Sequence, residues 1–258
     1  MKKKKSLLIF ALYSDGFIPL TVESYLKELN KYFTDVIVAT NYSGYYDLPY
    51  KHIFCKNEGY DFGMWYNVLQ KIDVREYDKI ALVNDSNSLV GTFGKVFEWG
   101  ATCGLDMWGV SDSVERTLTY RGKNSYHVQS FFMVFEKKSI RKLLPFFQYI
   151  NFKKRFMKKS TPELKQMIID NCEIGLSQYL KSFGMKIGAK WSIDQKNKPW
   201  SGFKQNIHFW KWEELIKDGY PLIKNKIISC VATPHQFPWS PELLPPNLNN
   251  RKKYYRYG

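Results

Sequence analysis

Cysteine is scarce in this 258-residue chain, and the four present (Cys55, Cys103, Cys172 and Cys230) show no Cys-x-x-Cys spacing. Zinc ribbons and dithiol redox sites require that spacing and are thereby excluded. Scattered thiols suit a reducing compartment, and a cytoplasmic location is the expectation. No stretch approaches the ~20 apolar residues that would span a bilayer. The glycine-and-lysine loop that cradles nucleoside triphosphates is missing, and no internal repeat marks a solenoid. Acidic residues are also in deficit, with 24 Asp and Glu against 39 Lys and Arg for a formal net charge of +15. Such a surface attracts polyanions, whether nucleotides, anionic lipid headgroups or nucleic acid, and charge alone does not choose among them.

What is present in quantity is apolar and aromatic: 44% of residues are hydrophobic and 17% are Phe, Trp or Tyr. A disordered chain lacks the apolar surface to offset the entropy of ordering, so this composition describes a folded protein. Its length suits one large domain. The N-terminal lysines followed by Ser6-Leu7-Leu8-Ile9-Phe10-Ala11-Leu12 imitate a secretory signal. The apolar run is short for that role, however, and no small-x-small site follows it. A buried first strand accounts for the same residues.

The first half alternates strand and helix patterns. Strands are expected at 6–12, 35–40, 51–55 and 78–83. Helical spacing appears in Val22, Tyr25, Leu26, Leu29 and Phe33, and again in Trp65, Val68, Leu69 and Ile72. The fold class expected is therefore α/β, with a mostly parallel, Rossmann-like central sheet flanked by helices. A further strand is expected over 127–135. A long helix is expected from about 162 to 183, opened by Ser160-Thr161-Pro162-Glu163 and closed by Gly184. On that helix Asp170, Glu173 and Ser177 form a polar line that faces either a cleft or water. Pro234, Pro238, Pro241, Pro245 and Pro246 break regular structure beyond 233. The division expected is a domain over 1–233 and a proline-rich basic tail over 234–258.

Ligands collect at the carboxyl ends of strands in open α/β sheets, which directs attention to polar residues just past a strand. Tyr13 follows the first strand. Asn84-Asp85-Ser86 follows the fourth, where Asp85 either caps a turn or points a carboxylate at a hard divalent cation. Asn57-Glu58-Gly59-Tyr60-Asp61-Phe62-Gly63 opens a helix, and its glycines permit close backbone approach. His127 and Gln129 share one strand face, and Asp112 follows another short strand. Trp191, Trp200, Trp210, Trp212 and Trp239 either stack on sugar rings or fill the core.

Five of these segments, in order, resemble the rhamnan synthesis protein F family of glycosyltransferases. They are Asn57 to Gly63, Asn84-Asp85-Ser86, His127-Val128-Gln129-Ser130-Phe131-Phe132, Glu173-Ile174-Gly175-Leu176-Ser177 and Pro221-Leu222-Ile223-Lys224, and the likeness spans about residues 6 to 228. Leu222 stands where the family usually has an aromatic, and Asn87-Ser88-Leu89-Val90-Gly91 departs from the usual Tyr-Gly-Pro type continuation. The resemblance implies a single-domain glycosyltransferase A-type fold, a nucleotide-sugar donor (dTDP, UDP or GDP) and a glycan or lipid-linked acceptor. Rhamnose is the sugar the family's namesake chemistry suggests, with inversion at the anomeric carbon.

Within that frame Asp85 would hold Mn²⁺ or Mg²⁺, with His235 as a late ligand. Tyr13, Asn57, Gly59, Asp61, Asn84 and Ser86 would contact the donor. His127 and Gln129 would line the acceptor site. Glu173 would be the general base, with Asp112 the competing one. The basic termini would favour peripheral contact with an anionic membrane. Three other readings compete: a basic nucleic-acid-binding protein, a nucleotidyltransferase on a similar sheet, and a non-catalytic scaffold. Nucleic acid is not expected as a partner.

Overall fold

A computed structural model of the chain describes residues 4–14, 16, 18–44 and 48–231. In chain order the strands are β1 (Ser6–Leu12), β2 (Asp35–Thr40), β3 (Lys51–Phe54), β4 (Lys79–Asn84), β5 (Asn87–Leu89), β6 (Met107–Ser113), β7 (His127–Val128), β8 (Phe132–Glu136), β9 (Ile187–Trp191) and β10 (Leu222–Lys224). The helices are α1 (Leu20–Leu29), α2 (Tyr60–Leu69), α3 (Gly94–Thr102), α4 (Lys137–Tyr149), α5 (Phe152–Arg155), α6 (Pro162–Ile168), α7 (Gly175–Ser182), α8 (Ile207–Trp210), α9 (Trp212–Lys217) and α10 (Asn225–Val231).

The apolar run at 6–12 is a central strand. Successive side chains of β1 enter opposite layers: Leu7, Ile9 and Ala11 join one core cluster, and Leu8, Phe10 and Leu12 join the other. A strand covered on both faces has no polar side to show, which is why its sequence reads as an unbroken apolar run. The sheet runs in the order β3-β2-β1-β4-β8-β6, with β7 and β9 both paired to β6. β1 is parallel to β2 and β4, β2 to β3, and β6 to β9. β8 runs antiparallel between β4 and β6. The sheet is thus mixed, with a parallel half as expected. Helices α2, α4 and α7 bury their apolar stripes in one cluster and α1 does so in the other.

Three expectations change in detail. The strand foreseen over 127–135 is two strands: His127 and Val128 pair with Ser113 and Asp112, the chain bends, and β8 begins only at Phe132. The bend frees the Ser130 N–H from the sheet and lets it donate to Glu173 instead. The helix foreseen over 162–183 starts as read, with the Thr161 hydroxyl accepting from Leu164 N–H at 3.2 Å and Pro162 in the first turn. It then widens into a π-helical stretch, Ile169–Ile174, before α7 resumes. Asp112 does not follow a strand; it sits inside β6, fully buried. Of the tryptophans weighed as sugar platforms, Trp191, Trp200 and Trp212 are core residues and Trp210 is half exposed, while Trp239 lies outside the described residues. No helix among the described residues is long and apolar enough to cross a membrane.

Candidate functional site

β1 and β4 end at the same edge of the parallel half, and β8, running the other way, begins there. Segments distant in sequence therefore meet at that edge, around a cavity of about 540 Å³. Asp61, Asn84, Ser86, His127, Gln129, Ser130, Glu173 and Lys224 all contribute to its lining. The five segments singled out in the sequence are thus neighbours.

Hydrogen bonds join these segments in pairs. Asn84 donates from Nδ2 to Asp61 Oδ2 at 2.6 Å, which ties the end of β4 to the first turn of α2. Asn84 Oδ1 accepts from the Ser86 hydroxyl at 2.6 Å and from the Ser86 N–H at 3.1 Å. Ser130 N–H donates to Glu173 Oε1 at 3.0 Å, and Val128 N–H to the Ser177 hydroxyl at 3.2 Å. Asn225, directly after β10, donates from Nδ2 to the Asp85 carbonyl at 2.7 Å and accepts the Ser88 hydroxyl at 2.7 Å. The polar line on the long helix is now explained: it faces the connection from β6 to β8, not open water. Its first member, Asp170, takes the Thr117 and Thr119 hydroxyls on its two oxygens, the latter at 2.7 Å.

His127 is buried at the cavity wall, with Nδ1 2.7 Å from the Ser125 carbonyl. A carbonyl only accepts, so Nδ1 carries the proton, and Nε2 is turned toward Glu173 Oε1 at 4.0 Å. Gln129 Oε1 accepts from Asn206 Nδ2 at 2.9 Å, and Asn206 in turn caps α8.

Asp85 stands apart from the cavity lining. Its Oδ2 accepts the Tyr13 N–H at 3.1 Å, so the two candidates nearest β1 and β4 hold each other. Burial, then the neighbouring Asp61 charge, pushes the Asp85 carboxyl up to about 8; burial likewise pushes Asp61 up to about 6. Asp61 lies close enough for its charge to act on Asp85, and these two carboxylates are the residues that could hold a hard, partly hydrated divalent cation. Among the described residues no three His, Cys, Asp or Glu gather around a common metal position. His235 lies outside the described residues.

The remaining candidates lie outside the cavity lining. Asn57 is exposed and within 3.4 Å of the Ser160 hydroxyl. Gly59, at φ +75°, donates its N–H to the Lys158 carbonyl and opens α2. Asp112 accepts from the Tyr126 hydroxyl and the Ile193 N–H, each at 2.8 Å, and does not reach the cavity. Sequence reading missed Arg116, Lys165, Glu115 and Asn206, all in the cavity lining. Lys224 stood within a recognised segment without a role. Its ending of an apolar strand was the one available signal.

A model of the rhamnan synthesis protein F family matches residues 40–240. Among solved structures, the chain resembles 2-C-methyl-D-erythritol 4-phosphate cytidylyltransferase from Thermus thermophilus (11% identity, 79% of this chain and 93% of that one, TM-score 0.44). It also resembles a 4-diphosphocytidyl-2C-methyl-D-erythritol synthase from Anaerococcus prevotii (11% identity, 73% and 89%, TM-score 0.43). No curated protein sequence matches it. With four fifths of its length aligned to that family, and all five of the segments that mark the likeness gathered at one sheet edge, the chain belongs to the rhamnan synthesis protein F family.

Proposed function

We propose that the protein transfers a glycosyl group, rhamnosyl by family likeness, from a nucleotide-sugar to a hydroxyl of a polysaccharide or lipid-linked acceptor. The observation that carries this reading is the placement of Glu173 and His127 side by side in the cavity that Asp61, Asn84 and Ser86 border from the donor side. Glycosyl transfer needs a base for the acceptor hydroxyl and stabilisation of the departing nucleoside diphosphate.

Glu173 would serve the first task. The Ser130 N–H fixes one carboxylate oxygen and leaves the other to take the acceptor proton as the acceptor oxygen attacks the anomeric carbon. The bond from that carbon to the diphosphate oxygen breaks, and inversion follows if attack comes from the face opposite the leaving group. His127 Nε2, an acceptor 4.0 Å from Glu173 with Nδ1–H held by the Ser125 carbonyl, would take a hydrogen bond from a hydroxyl of the acceptor beside the base. For the second task, a divalent cation held by Asp85 with Asp61 beside it would supply Lewis-acid stabilisation of the diphosphate. Asn84 and Asp61, locked to each other, would position the donor.

Thermal stabilisation by a panel of dTDP-, UDP- and GDP-sugars with Mn²⁺ identifies the donor, because a ligand bound only by the folded state raises Tm by mass action. With that donor, Glu173→Gln is expected to retain donor stabilisation and lose transfer by about 10²–10⁴-fold, the usual contribution of a positioned base. Asp85→Asn is expected to fold normally and lose transfer. Full transfer by Glu173→Gln would remove the base assignment, and release of pyrophosphate instead of a nucleoside diphosphate would identify a nucleotidyltransferase.

A further inference from the structure

We infer that Lys224, with Lys165 and Arg116 at the rim, forms an anion subsite that takes the diphosphate of a nucleotide ligand. The inference deepens the transfer reading above and rests on it.

Lys224 ends β10, which runs antiparallel to β5 with Lys224 opposite Asn87. The next residue fastens the strand to the segment that follows β4. Asn225 N–H donates to the Ser86 carbonyl at 3.1 Å, while its side chain bonds the Asp85 carbonyl and the Ser88 hydroxyl. Lys224 is therefore held in fixed register opposite Asn87, at the mouth of the cavity.

Its ammonium lines the cavity and is half-buried. Among the described residues it enters no hydrogen bond or ion pair. Glu173 and Glu115 act on it only as longer-range charges, and burial, the larger effect, holds its pKa below the ordinary lysine value. Lys165 and Arg116, also on the lining, are likewise outside every ion pair among the described residues.

The carboxylates that share the lining are held by amide donors and not by these cations: Glu173 Oε1 by Ser130 N–H, Glu115 by Asn206 N–H at 2.8 Å, and Asp61 by Asn84. Three cations thus converge on one space with no internal counter-charge in contact. Withdrawing an ammonium from water without a partner is costly, and a fixed, unpaired cation strengthens any charge-assisted bond a bound anion makes to it. A diphosphate has the charge and the oxygens to reach Lys224 while its sugar faces Glu173. A lysine is suited to this task, being a compact point charge with three donors.

The test is equilibrium binding of UDP, dTDP, GDP and the matching nucleosides to the full chain, in EDTA and again with Mg²⁺. The comparison uses wild type, Lys224→Gln and Lys165→Gln. The expected result is a nucleoside diphosphate that binds wild type in EDTA, is displaced by inorganic pyrophosphate, and binds Lys224→Gln at least tenfold more weakly. Lys165→Gln is expected to weaken it about threefold, as befits an exposed rim charge. Nucleoside binding should be equal in all three. Lys224→Gln should also melt no lower than wild type without ligand, since it removes a half-buried charge that has no ion-pair partner among the described residues. Equal diphosphate affinity in wild type and Lys224→Gln would overturn the subsite and leave the transfer reading standing. Wild type that binds neither nucleoside diphosphates nor nucleotide-sugars, with or without metal, would overturn both.

Discussion

Gly63 shows how a single residue sets the site's geometry. A Cβ built there would lie 1.8 Å from the Glu58 carbonyl oxygen, an overlap that backbone cannot relieve by a rotamer change. The close approach brings the turn at Glu58-Gly59 onto α2 and so aims Asp61 at Asn84. Gly63→Ala is expected to cost at least about 1–3 kcal/mol, the range for forced overpacking, read as a lower denaturant midpoint at unchanged slope. Ser177 sets geometry at the other side of the cavity. Its buried hydroxyl accepts the buried Val128 N–H, and Ser177→Ala would leave that donor unpaired. About 1–3 kcal/mol of stability should be lost, measured in the same way. The sequence announced both positions, one as a glycine in a recognised segment and one as the end of a polar line. It gave no hint of what either touches, because the partner in each case comes from another segment.

Among the elements, the π-helical stretch Ile169–Ile174 was illegible in the sequence. Helical periodicity reports which residues are apolar, and one extra residue in a turn changes that pattern too little to notice. Its consequence is functional all the same, since Glu173 belongs to it and meets the Ser130 N–H, while Asp170 at its start tethers the connection between β6 and β7. That connection, residues 114–126, carries Arg116 and Arg121. The Thr117 and Thr119 hydroxyls on Asp170 tie its first half to the helix, and Gln178 on α7 bonds the Tyr126 carbonyl at its far end. Asp170→Ala should loosen it, and tryptic cleavage after Arg116 and Arg121 is expected to run several-fold faster than in wild type, with global Tm nearly unchanged, because local opening and global unfolding are separate equilibria. Identical cleavage rates would show that the connection is held without Asp170, by contacts such as Glu115 to Asn206 and Tyr126 to Asp112.

For the molecule as a whole, a pH profile is fixed by buried charge. Glu28 on α1 is buried; it receives Lys31 Nζ at 2.6 Å, the Phe93 N–H at 2.9 Å and the Tyr32 hydroxyl at 3.3 Å. Burial alone would raise its pKa, and these donors together outweigh burial and hold it below its ordinary value. A carboxylate with a lowered folded pKa stabilises the fold above its unfolded value, near 4.3, and that contribution disappears as pH falls through the folded value. Glu28→Gln should therefore be less stable than wild type at pH 6 and converge with it as the pH falls through the lowered folded value. The gap at pH 6 is expected to be about 0.5–1.5 kcal/mol, since the glutamine Oε1 still accepts the Phe93 N–H and the Tyr32 hydroxyl, and what is lost is their charge assistance and the weak pair with exposed Lys31. Denaturation at a series of pH values reads it directly. A gap that widens toward acid would reverse the sign and remove the assignment.

The sequence by itself determined the α/β class, the central strands and the five segments that mark the family. Apolar runs and helical spacing are written residue by residue, and the family segments are local too. Only the tertiary structure decided which of those segments share a cavity. It brought Glu173 to His127 and placed Lys224 in the same cavity without an ion-pair partner among the described residues, while it sealed Asp112 inside a strand. The reason is physical: a parallel sheet collects the ends of strands that lie far apart in the chain, and the bend at 129–131 and the π turn at 169–174 trade regular backbone geometry for contacts that no local pattern encodes.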